Sequence, residues 1–103
     1  MQIMIFHPEA RRELYDAANY YENNRPGLGE IFLDAAEYAA WLIYANPFGW
    51  KKIRGDVRRC LLRRFPYGII YYADQQQIFI IAVMHLHRKP NYWTSRLRDM
   101  PLS

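Results

Sequence analysis

The chain has one cysteine in 103 residues, so it cannot close an internal disulfide, and it has no cysteine-rich zinc site. Its apolar runs all fall far short of the ~20 residues that a membrane span needs. No basic start leads into a long apolar stretch, so no secretion signal is read. Low-complexity tracts, internal repeats and linkers are also missing. What remains is a chain that is 51% hydrophobic and 17% aromatic, a composition that argues against disorder. At this length it supports one core, so residues 1–103 are expected to form a single soluble cytoplasmic domain.

Acidic charge is scarce in only one part of the chain. Residues 1–49 carry three arginines against seven carboxylates, net −4. Residues 50–103 carry eleven lysines and arginines against three aspartates, net +8. That asymmetry points to a surface built to meet an anion, either nucleic acid or an acidic protein segment.

Periodicity supplies the elements. Residues 2–6 are short, apolar and rich in strand formers. Pro8 suits a first helical turn, with Glu9 and Glu13 favouring its positive end. Leu14, Ala17, Ala18 and Tyr21 form the apolar stripe of that helix, which residues 23–27 break. A second stripe runs from Leu28 through Phe32, Ala35, Ala36, Ala39 and Leu42 to Ile43, and Asn46-Pro47 stops it. The short link predicts an antiparallel helical hairpin whose alanines permit close approach.

Beyond Gly49 the period shortens. Residues 57–65, 68–73 and 78–85 read as three strands with short connections, hence an antiparallel meander. The last is apolar in both registers, so it is expected to be covered on both faces. Residues 91–98 suggest a short terminal helix. The expected class is α+β, ordered β-α-α-β-β-β, with an antiparallel sheet covered by the helical hairpin.

Three local stretches in this order resemble the RelE/ParE superfamily of toxins from bacterial type II toxin–antitoxin systems, nearer the ParE-like branch. Ala17-Ala18-Asn19-Tyr20-Tyr21-Glu22, with Pro26-Gly27-Leu28-Gly29 and Phe32-Leu33, resembles the family's helical hairpin. The stretch from Arg59-Cys60-Leu61-Leu62-Arg63-Arg64 through Phe65-Pro66-Tyr67-Gly68 to Tyr72 resembles its middle strands. Ala82-Val83-Met84-His85, with Arg88, Pro90, Tyr92 and Trp93, resembles its last strand and tail. The resemblance implies a growth-inhibiting toxin neutralised by a cognate antitoxin, which it binds as a hetero-oligomer or alongside a second copy of itself. Within the superfamily, some members cleave messenger RNA on the ribosome and others poison DNA gyrase.

Metal-free RNA cleavage needs a group to activate the 2′-hydroxyl, a cation at the phosphate and an acid for the leaving oxygen. Arg59, His85, Arg88 and Tyr92 are the catalytic candidates under that reading, and neighbouring strands are expected to let them converge. RelE-like cleavers, however, typically place an arginine after the tyrosine that Tyr67 matches, and here Gly68 stands there; Leu61 replaces another basic residue. The expected function is therefore gyrase poisoning, with the ribosome and mRNA as the alternative target. Arg58, Arg59, Arg63, Arg64, Arg88, Lys89, Trp93 and Arg96 are the candidates for target or phosphate binding, with Arg59 and Arg63 turned away from the core that Cys60 and Leu62 face. Trp41 and Trp50 are expected to pack. His85 and His87 share a strand face but lack further ligands nearby, so neither a metal nor another cofactor is expected.

Overall fold

The computed structural model describes residues 2–101. Strand β1 (Ile3–Phe6) leads into helices α1 (Pro8–Asn24) and α2 (Leu28–Ala45). Strands β2 (Lys51–Arg54), β3 (Val57–Leu61), β4 (Tyr67–Ala73) and β5 (Gln77–His85) follow, and a 3-10 helix (Thr94–Asp99) comes last. The strands form one sheet in the order β1-β5-β4-β3-β2, with every pair antiparallel except β1 on β5. The fold is thus α+β as expected, with a mixed rather than purely antiparallel sheet and one strand more than the sequence suggested. β2 escaped notice because it is mostly charged, with only Ile53 turned toward apolar neighbours. β3 ends at Leu61 rather than running to Phe65, since the chain turns there and Arg64 sits at φ 71.

Capping explains where the helices start. The His7 Nδ1 accepts the Glu9 N–H at 3.0 Å, ahead of Pro8 in the first turn of α1. α2 has no side-chain cap of its own. Instead the Glu22 carboxylate, near the end of α1, accepts the N–H groups of Gly27 and Gly29 at 3.0–3.1 Å. Gly29 also sets the helix–helix distance, because a Cβ there would lie 2.5 Å from the Ala18 carbonyl oxygen. Gly29→Ala should therefore force the hairpin apart and lower stability by about 1–3 kcal/mol, the usual range for overpacking. A denaturant midpoint that does not move would contradict this close approach.

The sheet buries both faces. Against the helices lie Cys60, Leu62, Ile69, Tyr71, Ile78, Ile80 and Val83, packed with Ala10, Ala17, Phe32, Ala39 and Ile43. The opposite face holds Val57, Ile70, Phe79, Ile81, Ala82 and Met84, roofed by Trp93 with Tyr92, Leu97 and Met100 from the tail. This explains why β5 is apolar in both registers. A bulge at Ile81, where Ile70 and Tyr71 pair with Ala82 and Ile80, shifts the alternation so that Ala82 and Met84 share the tail's face.

Candidate functional site

β1 pairs with only the first part of β5, ending at the match of Phe6 to Ile80. From Ile81 to His85 the β5 main chain has no strand beside it on that edge among the described residues, and side chains serve instead. The Glu13 carboxylate, from the buried side of α1, accepts the Val83 N–H at 3.0 Å, and the Arg96 guanidinium donates to the Ile81 carbonyl at 3.0 Å. Glu13 also takes two bonds from Arg96 (both 3.0 Å), one from the Tyr92 hydroxyl (2.8 Å) and one from Arg88 (3.1 Å). The Arg88 guanidinium lies 3.7 Å from the centre of the Tyr92 ring. Glu13 and Arg96 side chains are each only 14% exposed, so one carboxylate ties α1, β5 and the tail together out of bulk water. A second tie joins the tail's Asp99 to the buried His7 Nε2 at 2.8 Å.

Burial, and then its bond to Glu13, push the Tyr92 phenol well above its ordinary pKa. Burial opposes charge on Arg96, but Glu13 outweighs it and holds that pKa above its usual value. Elsewhere burial pushes the Tyr71 phenol up to about 12 and the Cys60 thiol up to about 11. The native state holds these protons more tightly than the unfolded chain does. Their stabilisation is therefore complete below the unfolded values and is lost as pH rises through the folded ones. Thermal melts should show stability falling above about pH 9–10, where free cysteine and tyrosine titrate. A flat profile to pH 11 would refute this.

Of the candidate catalytic residues, His85, Arg88 and Tyr92 gather around Glu13, and Arg59 stands apart. Cys60 and Ile69 face the helices, so Arg59 and its partner Ile70 face the tail side. His85, paired with Tyr67, lies on the helix side, its ring 5.0 Å from that of Tyr67. Arg59 and His85 are thus on opposite faces of the sheet, while Arg88 and Tyr92 are held by Glu13. The expected convergence is corrected for Arg59 alone. His85 does line a cleft of about 330 Å³ with Glu13, Asp16, Tyr20, Tyr67 and Arg88.

The basic candidates divide. Arg58 is half-buried on the helix side, donating to the Trp50 carbonyl at 2.8 Å. Arg63 does not point to the tail side as expected; it stacks on Tyr38 of α2, 4.6 Å from the ring centre, because the strand has ended before it. Arg64 and Lys89 are exposed, and Trp93 is 1% exposed beneath the tail. Trp41, expected to pack, is 60% exposed on α2, whereas Trp50 is half-buried. No group of three His, Cys, Asp or Glu side chains among the described residues is placed to hold a metal ion. No helix among them is long and apolar enough to cross a membrane.

Sequence reasoning read Glu13 only as a helix-terminus charge. The signal for more was present: three residues after Ala10 and four before Ala17, it sits on the buried stripe of α1. A groove of about 400 Å³ also runs between α1 and α2, lined by Leu14, Tyr15, Leu33, Ala36 and Ala40, with Arg11 and Glu37 among its charged residues.

The family described as "ParE toxin of type II toxin-antitoxin system, parDE" matches residues 4–90. The fold is similar to a solved structure from P. aeruginosa titled as a chromosomal ParDE TA system. The TM-score is 0.64 at 18% identity, over 84% of this chain and 98% of that one. No curated protein matches the sequence significantly.

Proposed function

Since the chain belongs to the ParE toxin family of type II toxin–antitoxin systems, we propose that it arrests growth by poisoning DNA gyrase in the cytoplasm and is neutralised by a cognate antitoxin. The observation that carries this reading is the separation of Arg59, the strand cation RNA cleavage would need, from the other candidates. Arg59 and His85 occupy opposite sheet faces, and Arg88 and Tyr92 each bond to Glu13. A toxin that acts by occupying its target needs no such constellation. Of the candidate residues, the target contacts are assigned to those with no acidic partner among the described residues, Arg59, Arg63, Arg64 and Lys89. Arg58, Arg88 and Arg96 are engaged in bonds within the fold, and Trp93 is buried beneath the tail. The groove between α1 and α2, apolar with charged residues of both signs, fits the apolar face of an amphipathic antitoxin helix.

The test is induction of the chain alone in bacteria, with and without the neighbouring gene. Covalent gyrase–DNA complexes and transcript ends are mapped during arrest. Trapped gyrase complexes with intact transcripts, relieved by the neighbouring gene, are the expected result. New cuts within translated messages would overturn it in favour of mRNA cleavage. Arrest with neither signature would remove gyrase as the target.

A further inference from the structure

The hairpin formed by β2 and β3 is the outer edge of the sheet, and it carries charge in a way that works against its own stability. Lys51 lies directly opposite Arg59, and Lys52 directly opposite Arg58. Like charges facing each other across a strand pair repel, so each pair costs the fold. From residue 51 to residue 64 there are seven lysines and arginines and a single acid, Asp56. Asp56 pairs with Lys52 at 3.2 Å, and Arg58 is occupied with the Trp50 carbonyl. Lys51, Arg54 and Arg59 have no acidic partner among the described residues. All three take the face turned away from the helices: Arg59 by its register with Ile70, Lys51 opposite Arg59, and Arg54 opposite Val57.

That face is shaped for an extended guanidinium. Gly68 lies beneath the Arg59 side chain, and a Cβ there would meet its Cγ at 3.1 Å and its Cδ at 3.2 Å. The Arg59 stem therefore lies along β4, steadied by the sheet, instead of swinging free in solvent.

We propose that the β2–β3 hairpin is a docking surface for duplex DNA, with Lys51, Arg54 and Arg59 contacting its phosphates. Clustered cations with no internal counter-ion gain most from a polyanion, which replaces their mutual repulsion and releases condensed counter-ions. The hairpin, KKIRGDVRRCL, has no aromatic side chain on which unpaired bases would stack, so a single strand is the poorer match. This proposal shares Arg59 with the gyrase reading but is tested separately: DNA binding by the isolated chain and gyrase poisoning in cells can each fail alone.

The experiment measures anisotropy of a fluorescein-labelled 20-base-pair duplex of mixed sequence against the full chain, over a range of salt concentrations. Two charge-matched variants are compared, Lys51→Gln/Arg54→Gln on the hairpin and Arg12→Gln/Arg25→Gln on the helices. Arg59→Gln is the third, and melting curves confirm that each variant folds. Each lost phosphate contact should flatten the log–log salt slope by about 0.9, so the hairpin double variant should lose roughly 1.8 of it, with at least tenfold weaker binding near 0.1 M salt. Arg59→Gln should flatten it by about half as much, and the helix variant should leave it unchanged. Equal losses in the two double variants would reduce the effect to net charge and overturn the proposal. So would no measurable duplex binding, or displacement of the duplex by polyglutamate at equal charge concentration, which would mark the hairpin as a site for acidic protein segments.

Discussion

Glu13→Ala should cost about 3 kcal/mol or more and lower the melting temperature by roughly 12–24 °C, the largest effect expected from any single charged residue in this chain. The reason is the number of groups that one carboxylate satisfies. Without it Arg96 keeps its positive charge at 14% exposure with only the Ile81 carbonyl left, the Tyr92 hydroxyl loses its acceptor, and the Val83 N–H faces an unpaired edge. The cost is mostly that of the partners left behind rather than the net worth of the ion pairs. Glu13→Gln keeps the size and some acceptor capacity, so it should fall between wild type and alanine. A Glu13→Ala variant within 1 kcal/mol of wild type in urea unfolding would show that water replaces the carboxylate at little cost.

Trp93→Ala should be comparably damaging, at about 3–5 kcal/mol. Trp93 fills the space between the tail and the second face of the sheet, against the cluster of Ile70, Phe79, Ile81, Ala82 and Met84. Its removal leaves a cavity that the tail, pinned at Glu13 and at His7, can only partly close. Trp93→Phe should recover more than half of the loss. Growth inhibition and stability are expected to fall together for Trp93→Ala. A variant that stays stable yet loses all toxicity would instead place the indole against the target.

Where apolar pattern and local turn chemistry agreed, the sequence was sufficient. The stripes on α1 and α2 marked both helices, and the doubly apolar run from Ile78 to Met84 marked a strand buried on both faces. Charge hid the rest. Lys51–Arg54 has no apolar alternation to betray a strand, since its order comes from pairing with β3 rather than from a buried face of its own. The alternation continuing through Leu62 and Phe65 suggested a longer β3, but the positive φ of Arg64 belongs to a turn that no local pattern announced. The parallel match of β1 to β5 spans more than seventy residues and leaves no local mark. The candidate site suffered most for the same reason. Arg59, His85, Arg88 and Tyr92 were each identifiable as chemistry-bearing groups. Whether they meet depends on strand parity at β3 and β5 and on Glu13, some seventy residues or more from its partners.

The pairing of Ile3 with Gln77 and of Glu13 with Arg96 also orders events at birth. The first strand of this chain has no partner until the last strand has been made, and that strand's open edge is not sealed until the tail follows. At ~5–20 residues per second, β1 waits several seconds on the ribosome for its strand partner, while α1 can pack only on α2. A sheet closed by its most distant contacts forms late and slowly. The finished sheet is therefore among the last things translation produces.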